Sequence, residues 1–357
     1  MSRLKNNNRS QKTTTGLHSA LRSHLVFAFC FLLTCVCAIA NGQTVPSQSP
    51  SQIKPRGSLQ VDADVTANSQ AERVVDRATF EVLVTRGVPY AQGMIYHPTD
   101  PSRCYPRNLT LDIYQPQQKA APGRPVVLLV HSGGFWTGDS LMRSMVRAGH
   151  YFASRGWVCF SINYRLHGDR AIAPDGWPAN HPTYAATRDA KAAIRWIRAH
   201  AAQYNLDTDT IIAYGGSAGG YIGTALAASD EADFRDELLV NDKERPLLEA
   251  THLDQSSKVQ AVVNHWGSGL LLDLLKRYDG RERFDNEDAP LLVVHGTDDK
   301  VVPYDHAEAL LKNYQAELLH FKLDGFGHSA WNAKVDGKSL LDAVYPFMRK
   351  ALRNQAK

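Results

Sequence analysis

Before residue 41 the chain has no aspartate or glutamate, and beyond residue 40 it has almost no cysteine. Three of its five cysteines (Cys30, Cys35, Cys37) lie early, leaving only Cys104 and Cys159. Two cysteines cannot make a disulfide-dense scaffold, although this pair could join in an oxidising compartment. Cys159 sits in an apolar run, Trp157–Ile162, where a small core residue is the simpler reading. No His-x-x-x-His or Cys-x-x-Cys spacing is present, so His295, Asp298, Asp299 and His306 make only a weak metal set. Nor is there an internal repeat, or a basic stripe with interleaved aromatics for nucleic acid. The net charge of +4 is misleading, because Arg3, Lys5, Arg9, Lys12 and Arg22 carry it. Without them the chain holds 35 basic against 36 acidic side chains.

Those five cations precede Leu25–Ala40, an uncharged stretch ending in Ala38-Ile39-Ala40. A basic region, a short apolar run and an Ala-x-Ala site describe a secretory signal over residues 1–40. The run is shorter than the roughly 18 apolar residues of a spanning helix, so a secreted or periplasmic protein without stable membrane insertion is expected, an uncleaved anchor being the alternative. Residues 41–71 are rich in Ser, Gln and Pro and read as a flexible linker, with one globular domain over 72–357.

Within that domain, Phe80–Val84 and Leu109–Tyr114 alternate as leading strands, expected to be antiparallel. Short apolar strands then alternate with helices: Val126–Val130, a helix over Leu141–Ser154, Trp157–Ile162, a helix over Thr187–Tyr204 and Ile211–Tyr214. After a helix over Tyr221–Ala228 come Val259–Val263, Leu291–Val294, a helix near Asp305–Tyr314, Leu318–Lys322 and a last helix over Leu340–Leu352. This pattern predicts an α/β fold, a mostly parallel central sheet with helices on both faces. Active sites of such sheets lie beyond the strands' carboxyl ends, which directs attention to the residues that follow each strand.

After Ile211–Tyr214 comes Gly215-Gly216-Ser217-Ala218-Gly219, a serine bracketed by glycines between strand and helix. Such a sharp turn exposes a nucleophile, and bulk two residues to either side would stop strand and helix from passing. After Val126–Val130 comes His131-Ser132-Gly133-Gly134-Phe135-Trp136, whose glycines let backbone N–H groups converge on a developing oxyanion together with the N–H of Ala218. After Leu291–Val294 comes His295-Gly-Thr-Asp298-Asp299, where either aspartate could orient an imidazole. After Leu318–Lys322 comes Gly325-Phe-Gly-His328, the one histidine on a glycine-rich loop after the last strand. His320, inside that strand, reads as core. His265, following Val259–Val263, joins Phe135 and Trp136 as a candidate pocket residue, with packing an equally good explanation.

With Asn163-Tyr164-Arg165 and Asp189-x-Lys-Ala-Ala-Ile-Arg-Trp196 added, these motifs over about Leu109 to Leu352 resemble the α/β-hydrolase fold. Within it they resemble the small carboxylesterases akin to hormone-sensitive lipase and to feruloyl or acetyl-xylan esterases. The resemblance implies a nucleophile at Ser217, a base at His328 and an acid at the fourth residue after His295, which selects Asp299 over Asp298. It implies oxyanion donors at Gly133, Gly134 and Ala218. Two positions depart from the pattern: Ser132 replaces the loop's first glycine, and Gly216 stands where the lipase branch carries an acidic residue. Gly267–Asp288, with Asp273, Lys276, Arg277 and Arg281, is the expected lid or specificity insertion. The function implied is that of a secreted serine esterase acting on small-molecule or carbohydrate esters, without a metal or organic cofactor. The alternatives are a non-enzymatic binding scaffold and a peptidase of the same fold.

Overall fold

A computed structural model describes residues 73–118 and 123–354. The expected signal and linker lie outside the described residues. Eight strands form the central sheet: β1 (Val82–Tyr96), β2 (Cys104–Pro116), β3 (Arg124–Val130), β4 (Val158–Ile162), β5 (Leu206–Gly216), β6 (Ala261–His265), β7 (Leu291–Gly296) and β8 (Leu318–Leu323). The spatial order is β1-β2-β4-β3-β5-β6-β7-β8. β1 and β2 are antiparallel to each other, and β2 is antiparallel to β4. From β4 to β8 every neighbouring pair is parallel. The helices are α1 (Arg143–Ala153), α2 (His181–Ala199), α3 (Ala201–Tyr204), α4 (Ala218–Ala228), α5 (Arg245–Glu249), α6 (Leu270–Asp279), α7 (Asp305–Asn313) and α8 (Leu340–Asn354).

Strand alternation sorts the core into two layers. Val126, Leu128 and Val130 of β3 join one apolar cluster, whereas Val127 and Leu129 join the other, packed on the opposite face. With both faces covered, β3 is buried along its whole length, which is why it reads as an unbroken apolar run. Truncating one of these side chains, as in Leu128→Ala, is expected to cost about 2–5 kcal/mol.

Two expectations change, and the simpler reading of Cys159 holds. α2 begins at His181, six residues before the anticipated Thr187, because Pro182 falls in its first turn, where the missing N–H costs nothing. The expected lid holds α6, whose Leu271, Leu272, Leu274 and Leu275 are buried in the core. The chain after it is tied down by Arg281 and Arg283, both ion-paired with Asp233. This segment is therefore packed structure rather than a cover. Finally, Cys104 and Cys159 are both free. Cys159 pairs across the ladder with Tyr114, so Cys104 lies ten residues further along β2, about 33 Å at ~3.3 Å per residue. A disulfide needs Cα atoms within about 7 Å.

Among the described residues no helix is long and apolar enough to cross a membrane.

Candidate active site

β3, β5, β6, β7 and β8 run parallel, so the loops leaving them emerge at one edge of the sheet. Ser217 stands between β5 and α4 with φ 53° and ψ −122°, a backbone region strained for any residue with a β-carbon. Three contacts enforce that turn. The N–H of Ser217 donates to the His265 carbonyl at the end of β6 (2.9 Å). A β-carbon on Gly219 would run into the Val130 carbonyl, and one on Gly215 would press on the Gly219 backbone. The glycines that bracket the serine therefore answer to close backbone approach, as the turn's shape requires.

His328, in the loop after β8, joins the serine to the acid. Its Nε2 lies 3.1 Å from Ser217 Oγ, and its Nδ1 lies 2.7 Å from Asp299 Oδ2. The other carboxylate oxygen of Asp299 accepts the N–H groups of Val301 (2.8 Å) and Val302 (2.9 Å). Burial pushes this carboxyl up, but the hydrogen bonds from His328, Val302 and Val301 outweigh burial and hold it below the ordinary aspartate range. An ionised Asp299 places the His328 proton on Nδ1 and leaves Nε2 free to accept from the serine hydroxyl. Asp298 is exposed and takes no part in this chain of bonds. The buried His295 ring donates from Nε2 to the Val302 carbonyl (2.8 Å), bracing the turn that carries Asp299.

The loop 131–138 reaches the elbow from β3, through Ser132 and the Gly216 carbonyl. Gly133 has φ 119°, and a β-carbon there would collide with the Thr137 carbonyl. The Gly133 carbonyl accepts from the N–H groups of Trp136 (3.0 Å) and Thr137 (3.2 Å), closing the loop tightly. Among the described residues no hydrogen bond uses the N–H of Gly133 or Gly134. Ala218 opens α4, where the first N–H groups of a helix have no partner within it. These are donors suited to an oxyanion beside Ser217. Ser132, the departure from the glycine pattern, is buried and donates from Oγ to the Gly216 carbonyl (2.8 Å).

The three candidate pocket residues separate. Phe135 is half-buried, tilted against Tyr164 and edge-on to Tyr221. Trp136 is 54% exposed and stacks on His167, with ring centroids 3.6 Å apart. His265 is a correction: its ring is fully buried among Tyr214, Trp266 and Trp331, so it lines no accessible pocket, and only its carbonyl reaches the elbow. Burial lowers the pKa of that ring to about 3.

Sequence reasoning passed over Trp331. A β-carbon on Gly216 would meet its ring at 2.7 Å, so this indole occupies the space that an acidic side chain would need. The available signal was its place three residues after His328. Backbone strain gathers here as well. Of the nine non-glycine residues with positive φ among the described residues, Phe135, Ser217, Trp266 and Ser329 belong to these loops. A small void lined by Arg165, Arg188, Asp189 and Thr251 includes none of the site residues.

Residues 111–283 match the BD-FAE family. The chain is 27% identical over 234 residues to the probable carboxylic ester hydrolase LipM of Mycobacterium tuberculosis, covering 58% of this chain and 49% of that protein. It is 28% identical over 274 residues to esterase LipQ of the same organism, covering 68% of this chain and 59% of the relative. The chain thus spans about half to three-fifths of the length of these relatives. Among solved structures, a truncated carbohydrate esterase from gut microbiota superposes with a TM-score of 0.50 at 20% identity, over 78% of this chain and 98% of that one. That likeness concerns the fold. The fold is thus that of the α/β-hydrolases, and in sequence the chain is similar to carboxylic ester hydrolases over part of its length.

Proposed function

We propose that this α/β-hydrolase cleaves carboxylic esters through an acyl-enzyme on Ser217. The observation that carries the reading is the unbroken run of hydrogen bonds from Asp299 through His328 to Ser217 Oγ, beside a loop tied to the elbow whose Gly133 and Gly134 N–H groups are unused among the described residues. Ser217 Oγ attacks the ester carbonyl while its proton passes to His328 Nε2, and the carbonyl oxygen gains the negative charge. The N–H groups of Gly133, Gly134 and Ala218 stabilise that charge, each donor contributing on the order of 10²-fold or more in rate. Collapse of the tetrahedral intermediate breaks the ester C–O bond, and the departing alkoxide takes the proton from His328. Water then attacks the acyl-enzyme by the same route, releasing the acid and restoring the serine.

Acylated carbohydrates are the substrate class we favour, on the resemblance to feruloyl and acetyl-xylan esterases. We infer secretion from the basic, apolar and Ala-x-Ala pattern of residues 1–40. The decisive experiment pairs Ser217→Ala with a fluorophosphonate probe. Hydrolysis of a short-chain aryl ester is expected to disappear in the variant, and the parent protein is expected to be labelled at Ser217. Full activity in Ser217→Ala would discard the reading. A panel of acetylated sugars, feruloyl esters, longer-chain esters and a peptide amide fixes the substrate class, and preferred amide cleavage would favour the peptidase alternative.

A further inference from the structure

The loop 131–138 must hold its N–H groups at a fixed distance from Ser217, yet most of its contacts stay on its own side of the site. The Tyr164 hydroxyl donates to the His131 carbonyl (2.8 Å), with the two rings stacked at 4.0 Å. His131 Nδ1 lies 2.7 Å from the Ser132 carbonyl, two bonds close the loop on the Gly133 carbonyl, and the N–H of His167 donates to the Phe135 carbonyl (2.8 Å). Burial lowers the His131 pKa to about 4, so this ring is neutral near pH 7 and its Nδ1 proton serves the Ser132 carbonyl. One side-chain bond crosses to the elbow, from Ser132 Oγ to the Gly216 carbonyl, across 84 residues of sequence.

Gly216 immediately precedes the strained Ser217, and Ser132 immediately precedes Gly133 and Gly134. The bond therefore links the peptide that enters the nucleophile to the peptide that enters the oxyanion loop. We propose that Ser132 is a positioning residue, setting the spacing between the nucleophile and the oxyanion donors through the carbonyl of Gly216. The proposal rests on the ester-hydrolase reading above and extends it to a residue that touches no substrate. A glycine at this place, as in the pattern the chain otherwise resembles, has no side chain to form such a tie. This chain replaces backbone freedom with a hydrogen bond.

The consequence is specific. Binding of the neutral ester does not depend on the spacing, whereas stabilisation of the oxyanion does, so the loss belongs in kcat and not in KM. Ser132→Ala is expected to lower kcat by about tenfold, less than removal of an oxyanion donor itself, with KM within about twofold. Ser132→Thr, which keeps the hydroxyl, is expected to recover most of that loss. The distinguishing readout is affinity for a trifluoromethyl ketone, which accepts Ser217 Oγ at its carbonyl carbon and places an oxyanion on the same donors. Its Ki should rise by the same factor as kcat/KM falls, while the Ki of the corresponding methyl ketone stays unchanged.

A Ser132→Ala variant with unchanged kcat and unchanged trifluoromethyl ketone affinity would overturn the proposal. So would equal losses for the two ketones, which indicate general disruption, or a kcat loss that Ser132→Thr reproduces in a folded protein. Parent hydrolysis that persists in Ser217→Ala would overturn the esterase reading and this proposal with it. Parent hydrolysis that Ser217→Ala abolishes, beside an unaffected Ser132→Ala, would remove only the role of Ser132.

Discussion

The loop after β3 and the loops after β7 and β8 both reach the Ser217 turn, yet different forces hold them. On the β7–β8 side, side chains fix the geometry: Asp299 takes two backbone N–H groups and the His328 ring, and His295 braces the turn. On the β3–β5 side the oxyanion donors are backbone groups, and close approach at Gly133, Gly215 and Gly219 shapes their turns, with Ser132 Oγ as a side-chain tie to the elbow. The first side should fail when an atom is removed or its charge is changed. The second should fail most when an atom is added, the Ser132 hydroxyl being its one side-chain tie to the elbow among the described residues.

The largest expected effect tests the side-chain half. Asp299→Asn preserves the shape but presents an amide to His328, favouring the wrong tautomer. A fall in kcat of roughly 10³-fold or more is expected, with KM little changed. Steady-state kinetics showing a loss below tenfold would mean that Asp299 orients nothing. Next comes the backbone half, where Gly219→Ala drives a methyl group toward the Val130 carbonyl. Overpacking of this kind costs about 1–3 kcal/mol. Turnover should drop about 10²-fold as the elbow shifts, and calorimetry should record a Tm lower by several degrees. Unchanged activity and stability would erase the contrast between the two sides.

A smaller effect sharpens the comparison at its boundary. In Gly216→Ala the added carbon meets the Trp331 ring, which can move, instead of backbone, which cannot. A loss of about tenfold or less is expected, and Trp331→Leu in the same chain should relieve it. The coupling read from a double-mutant cycle should be at least about 0.5 kcal/mol. Additive effects would place the strain elsewhere.

The smallest effect concerns His265, whose folded pKa is depressed to about 3 by burial. An unfolded histidine titrates near 6.5, so between those values the unfolded chain binds a proton that the native ring refuses. Stability from this group is complete above about pH 6.5 and is lost as the pH falls toward 3. His265→Phe removes that dependence. Activity at neutral pH should stay within about twofold, and Tm should fall less between pH 6.5 and 4 than in the parent. A large change in substrate preference would return His265 to the pocket.

Much of the site was legible before the fold was known. Each working residue follows a short apolar strand, and a parallel sheet brings the ends of such strands together. The glycines around Ser217 announce close packing, and the spacing after His295 separates Asp299 from Asp298 once the family pattern is invoked. α2 starts before Thr187 because Pro182 fits a first helical turn, a position that apolar periodicity alone does not mark. The charges of Gly267–Asp288 suggested a cover, whereas its leucines point into the core and its arginines find Asp233.

Local pattern alone determined the alternation of strand and helix, the sharp turn at Ser217 and the identity of the polar residues at the strand ends. These depend on hydrophobic periodicity and backbone sterics, which act over a few residues. Only the tertiary structure decided which distant groups meet: Ser132 with the Gly216 carbonyl, Trp331 over Gly216, and His265 buried behind the serine. Those contacts span tens of residues along the chain, and their geometry is set by how whole strands and loops pack.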